Sequence, residues 1–170
     1  MNKKILVVAA LLMVVCVSGA FSWAIGVQGG GGVGGNGGAA ITFKLDSTPL
    51  VFAADFAASS NYFVFGITGD YWFIEDTIVD TGIGPFGWFL GGGAGIALRF
   101  WDDHGPKDDH NGLGLRITGR LPIGLNMMIP VSAVEIEPYI QAVPQIGVWM
   151  IDVFGLYWNV DFNAGIRFHF

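Results

Sequence analysis

Beyond residue 17 the chain lacks any uninterrupted apolar run near the roughly 20 residues that a membrane-spanning helix needs. It is also short of charge. Only 13% of its 170 residues are charged while 52% are hydrophobic, whereas a soluble domain carries roughly 25% charged residues. Cys16 is the single cysteine, which excludes an internal disulfide framework and a cysteine-rich metal site. Basic residues are scarce as well, eight against fourteen acidic ones for a net charge of −6. A protein of that sign is a poor partner for nucleic acid. No stretch shows the 3.6-residue periodicity of an amphipathic helix long enough to matter after the first segment.

The one long apolar run, "ILVVAALLMVVCV" from Ile5 to Val17, follows Lys3 and Lys4 and precedes the small residues of "CVSGAFSWA". It reads as a secretory signal peptide over residues 1–20, cleaved after Ala20 or as late as Ala24. The exported domain, 21–170, then has six basic residues against fourteen acidic ones, a net charge of −8, and no cysteine. Keeping Cys16 as an acylated lipoprotein residue would call for a small neighbour where Val15 stands.

Period-two alternation fills the exported part. From Phe154 every even residue is apolar (Phe154, Leu156, Trp158, Val160, Phe162, Ala164, Ile166, Phe168, Phe170), opposite Gly155, Tyr157, Asn159, Asp161, Asn163, Gly165, Arg167 and His169. Strand side chains alternate between faces, so this is a strand with one oily and one wet face. The same rule holds for Val134–Ile146, Leu113–Leu125, Phe86–Phe100, Leu50–Phe56 and Phe63–Tyr71, and "FSWAIGVQ" and "AITFKLD" complete a set of eight. Turn chemistry separates them, in "GGVGGNGG", "DSTP", "SSN", "EDTIVDTG", "DDHGPKDDHNG", "NMMIP" and a last break near Met150 to Val153. The expected fold is all-β, an eight-stranded antiparallel up-and-down barrel, closed because open strand edges are hazardous.

Two barrels of opposite polarity fit this alternation, one with an apolar lumen and one with an apolar exterior facing lipid. Three features favour the second. The strands reach the roughly 9 to 11 residues that span a bilayer when tilted. Aromatic residues gather near strand ends (Trp23, Tyr71, Phe73, Phe86, Trp88, Trp101, Trp149, Trp158, Phe168, Phe170), as interfacial girdles do. The other face is rich in Gly, Thr, Asn and Gln rather than the Lys and Glu of a water-facing surface. Counting strands puts both termini on one side with the "STP" and "NMMIP" turns, and the "GGVGGNGG", "SSN" and "DDHGPKDDHNG" loops on the other. "EDTIVDTG" is long for the terminal side.

A chain that ends in an alternating strand on Phe162, Ala164, Ile166, Phe168 and Phe170 resembles bacterial outer-membrane barrels. In those families the last strand and its final aromatic residue are the assembly signal. That resemblance implies the bilayer, the barrel-assembly machinery and periplasmic chaperones as partners. With its Gly-rich second face and "FNAGIRFHF" ending, the exported chain is also similar to small spirochaete outer-membrane proteins of unassigned function with an OmpA/OmpX-like transmembrane barrel. The resemblance brings no catalytic residues and no cofactor.

Several local patterns invite chemistry. "GVGGNG" at 32–37 has the G-x-G-x-x-G spacing of a dinucleotide loop, but a strand follows where a helix is needed, so a loop is the better reading. Asp103, His104, Asp109 and His110, in a repeated Asp-Asp-His, are candidate metal ligands in what reads more simply as a solvated acidic loop. A turn centred on Met127 and Met128 would set Arg120 opposite Glu135 or Glu137. With Arg99, Arg116, Asp161 and Arg167 on the same face, these form an expected luminal charge network that plugs the narrow barrel. No serine, histidine and carboxylate fall together as a hydrolytic triad. The functional expectation is a structural or surface-interacting barrel whose loops meet an unidentified partner, with a narrow pore or carrier for a small or hydrophobic molecule as the alternative. Nearly the whole exported chain is used by the barrel, which leaves no length for a peptidoglycan-binding domain.

Overall fold

The structure, a computed structural model, describes residues 22–33, 37–59, 61–104, 109–151 and 154–170. It contains ten antiparallel strand segments: β1 (Trp23–Gly32), β2 (Gly37–Leu45), β3 (Leu50–Ser59), β4 (Tyr62–Asp80), β5 (Pro85–His104), β6 (Asp109–Arg120), β7 (Ile123–Met127), β8 (Ile129–Val131), β9 (Val134–Ile151) and β10 (Gly155–His169). The segments pair antiparallel around the sheet, and β10 pairs back onto β1, so the ring is closed. Among the described residues there is no helix.

Ten segments make eight barrel strands because β6, β7 and β8 share one register against β9. Gly114 lies opposite Ile151, Arg120 opposite Gln145, Ile123 opposite Ala142, Asn126 opposite Tyr139 and Val131 opposite Val134. The interruptions fall where Pro122 on one side, and Pro138 and Pro144 on the other, supply no N–H to the ladder. The turn is therefore at Ser132–Ala133, with Ser132 in the left-handed region at φ 59°. This corrects the turn expected at Met127 and Met128: "NMMIP" continues along β9 with a single break at Met128, and Pro130 pairs with Glu135 inside β8.

"EDTIVDTG", too long for a turn, is mostly an extension of the strand before it. β4 runs on through it to Asp80, and the reversal is confined to residues 81–84, where Thr81 Oγ1 donates to the Gly84 carbonyl at 2.6 Å. Register shifts at Trp72/Ile74 and Thr77/Val79 insert two bulges along this extension. β3 accompanies β4 only as far as Tyr71, so the segment beyond it has a free edge, and the bulges twist such an edge away from further pairing.

The stagger of the barrel follows from the pairings. Starting at Gly87 the partners run Asn126, Tyr139, Gly165, Gln28, Ala40, Asp55, Gly66 and then Ala97, which is ten residues further along the same strand β5. A shear of ten over eight strands tilts every strand and gives a lumen that side chains just fill.

The faces divide as the alternation demands. On β10 the even row points outward, with Leu156 86%, Trp158 73% and Phe162 58% exposed, while Arg167 and His169 on the odd row are buried. Ile25, Val27, Ile41, Phe52, Ile67, Ile96, Ile140 and Ile146 carry the same exposed apolar surface around the ring. At the terminal end Trp23 packs on Phe43 (5.7 Å) and Phe170 (5.2 Å). Two members of the expected aromatic girdle do not belong to it: Trp101 and Trp149 lie on the inward rows of β5 and β9, against Arg99 and Arg116.

Candidate functional site

The functional candidates are inside the barrel, in two layers. Inward rows place Lys44 on β2, Trp72 and Glu75 on β4, Phe89 on β5, Asn126 on β7, Glu137 and Tyr139 on β9, and Arg167 and His169 on β10. They meet in the half of the lumen nearer the termini. Glu137 is the centre, with no exposed surface. Its Oε2 accepts from Arg167 Nη1 at 3.1 Å and faces His169 Nε2 at 3.0 Å. Its Oε1 accepts from Asn126 Nδ2 at 2.9 Å and lies 3.5 Å from Lys44 Nζ, which also pairs with Glu75 at 2.5 Å. One carboxylate thus answers three cations, the condition under which buried charge is tolerated.

Aromatic rings complete the layer. Trp72 stacks on Phe89 with centroids 3.8 Å apart and planes 5° from parallel, and Lys44 Nζ sits 4.6 Å from the Trp72 ring. The Arg167 guanidinium lies 3.8 Å above the Tyr139 ring, whose hydroxyl donates to Gln28 Oε1 at 2.9 Å. The cations are therefore held both by carboxylates and by ring faces in a buried interior. Trp72, Phe89, Val51 and Tyr139 form the buried apolar cluster of the molecule, and it lies in the lumen.

At the rim of this layer His169 Nδ1 faces both oxygens of Asp46 at 3.1 Å, and Ser22 Oγ donates to Asp46 at 2.7 Å. Asp46 stands in the turn between β2 and β3. Burial pushes its carboxyl up, but hydrogen bonds from His169 and Ser22 and the charges of His169 and Lys44 outweigh that and hold it below the usual carboxylate range. Ser22, Asp46 and His169 do not form a hydrolytic array. The hydroxyl is spent on the carboxylate and the second imidazole nitrogen on Glu137, so among the described residues no nucleophile faces the histidine.

The half nearer the loops is more open. Arg120 Nε pairs with Asp70 Oδ1 at 2.9 Å, and Asp161 accepts the side-chain amides of Gln145 and, at 2.6 Å, of Asn159. Arg99 lies over Tyr62 (4.5 Å) and Trp101 (5.8 Å), and Arg116 over Tyr157 (4.4 Å) and Trp149 (5.4 Å). Gly112 makes room for this arrangement, since a Cβ there would run into the Trp101 ring. Between these groups is a cavity of about 200 Å³.

The expected charge network is thus divided and re-paired. Arg167 and Glu137 belong to the lower layer, and Arg99, Arg116, Arg120 and Asp161 to the upper. Arg120 meets Asp70 and not Glu135 or Glu137, because the true turn lies five residues beyond the expected one and moves its cross-strand partner to Gln145. Glu135 is exposed at the strand end and has no ion pair among the described residues. The structure adds Lys44, Asp46, Asp70, Glu75, Asn126 and His169, which the sequence reading does not include in the network. Lys44, Asp70 and His169 stand on the polar rows of alternating strands, the one signal that marks them.

The other local candidates sit at the loop end. Gly37 pairs with Gly31 as strand, and Gly34, Gly35 and Asn36 of the glycine motif lie outside the described residues. Asp103 and His104 pair through their backbones with His110 and Asp109, and the side chains of these four candidate ligands are outside the described set.

No protein-family model and no curated protein matches the chain. Among solved structures it is similar to the N-terminal β-barrel domain of Pseudomonas aeruginosa OprF, with 14% identity and a TM-score of 0.50, covering 88% of this chain and 97% of that one. Neisserial surface protein A matches at 17% identity and 0.48, covering 86% and 94%, and a major outer membrane protein from Thermus thermophilus at 10% and 0.43, covering 89% and 100%. The chain has the eight-stranded antiparallel barrel fold.

Proposed function

We propose that this chain is an integral outer-membrane barrel of a bacterium with two membranes, with a structural or surface-contact role exercised through the loop end. The observation that carries this reading is the outward apolar belt. An eight-stranded ring that turns Leu156, Trp158, Phe162 and Ile146 outward, and buries Glu137, Arg167 and Lys44 within, is built for hydrocarbon outside. The bilayer is then its solvent, and barrel-assembly machinery and periplasmic chaperones its partners during biogenesis, with the terminal end periplasmic. Signal cleavage after Ala20 suits this reading better than cleavage after Ala24, since Trp23 pairs with Leu45 and packs on Phe43 and Phe170. The likeness to spirochaete proteins stays part of the proposal.

The lower layer favours a closed lumen, because buried side chains from β2, β4, β5, β7, β9 and β10 meet across it. A narrow pore or carrier is the second reading, favoured by the cavity above that layer. Both are tested on one preparation: the chain should fractionate with outer membranes, migrate differently on gels before and after boiling, and show no steady conductance in planar bilayers. A soluble, heat-insensitive product would contradict the membrane reading, and steady channels the closed lumen.

A further inference from the structure

We propose that the cavity in the loop-side half of the lumen is a binding site for a small oxyanion, a phosphate- or carboxylate-type group held between Arg99 and Arg116. The inference rests on the interior of the barrel alone, not on what surrounds it. Arg116 is paired across to Ala97, and Arg99 to Gly114, so the two guanidinium-bearing residues are diagonal neighbours on the inward face of β5 and β6. Like charges so placed repel, the more so away from bulk water. Neither has a carboxylate within ion-pair distance among the described residues, and the Nε of each is buried without a hydrogen-bond partner.

Ring faces hold both cations in place: Tyr62 and Trp101 for Arg99, Tyr157 and Trp149 for Arg116. A guanidinium stacked on a ring keeps its N–H donors in its own plane, free to point sideways, which is the geometry that grips planar or tetrahedral oxyanions. Asp55 and Asp161 line the same cavity, and Asp161 keeps its charge while accepting two neutral amides. Arg120 is turned to Asp70, which lies outside the lining. Three arginines against two carboxylates leave the lining with an excess of one positive charge. The volume of about 200 Å³ accommodates one small anion with a few waters.

The test uses the full exported chain refolded in detergent micelles and titrated with inorganic phosphate, with chloride at equal ionic strength as the reference. Trp101 and Trp149 lie on the two arginines, so a saturable change in intrinsic fluorescence is expected with phosphate and not with chloride. Half-saturation should weaken about tenfold or more in Arg99→Gln and in Arg116→Gln, each having lost a charged hydrogen bond. A second measurement needs no variant: phosphate should slow phenylglyoxal modification at Arg99 and Arg116, mapped by mass spectrometry. Absence of a saturable change, or an unaltered one in the double variant, or modification unaffected by phosphate, would overturn the assignment and leave the two arginines to the carboxylates of the neighbouring loops.

Discussion

Glu137 is the residue on which the interior depends. Three cations and an amide converge on its two oxygens; Lys44 has Glu75 and His169 has Asp46 besides, but Arg167 has no second carboxylate within ion-pair distance among the described residues. Removing one partner from a buried ionic group leaves the others desolvated and unanswered, which costs about 3–5 kcal/mol. Glu137→Ala should therefore lower the stability of the folded barrel by that order in urea titration of vesicle-inserted protein. The double change with Arg167→Ala should cost less than the two separate losses added together, as coupled neighbours do. Asp46 offers a pH test. Its folded value lies below its unfolded value of about 4, so its stabilising effect is complete above that pH and is lost as pH falls through the folded value. The stability difference between wild type and Asp46→Asn should accordingly shrink as pH falls below about 4, as read from unfolding midpoints across the acid range.

At the scale of the strand, the period-two rule suffices to assign faces. Each of the eight alternating stretches contains a strand, and on the six whose apolar row is assigned from sequence that row is turned outward. What the alternation does not supply is pairing. Cross-strand partners depend on where the chain reverses, and "NMMIP" with its Pro130 has the composition of a reversal while lying along the strand. Moving one turn by five residues shifts every partner across it by ten, which is why Arg120 stands with Asp70 and not with Glu135 or Glu137. The inward placement of Trp101 and Trp149 is legible in the parity of their strands, since each follows the polar row. Their position near strand ends points to the girdle instead. The face assignment has a direct consequence for substitutions. Phe162→Arg should cost about 2–4 kcal/mol where that position lies near the bilayer midplane, and Asn163→Arg, on the cavity side, should cost distinctly less in the same urea titration.

The whole molecule is organised inside out, and its chemistry follows from that. A conventional domain spends its apolar residues on a core. This one has a small luminal cluster of Val51, Trp72, Phe89 and Tyr139 and places far more apolar surface on its exterior. On the proposed membrane reading, the low charge content and the fully buried Glu137 and Arg167 have one cause, a polar interior sealed in a ring that has hydrocarbon outside. The fold is shared with a solved β-barrel domain at 14% identity, a level at which architecture is retained and individual contacts are not. The division of the lumen into an ion-paired lower layer and an arginine-lined cavity is therefore argued from this chain's own residues. The most direct measurement of the central claim places nitroxide labels one at a time, through Asp161→Cys, Phe162→Cys, Asn163→Cys and Ala164→Cys in a chain of residues 21–170, which holds no cysteine, and compares collisions with oxygen and with a water-soluble nickel complex in lipid vesicles. Labels at 162 and 164 should meet oxygen and those at 161 and 163 should not. The opposite pattern, or no alternation at all, would contradict it.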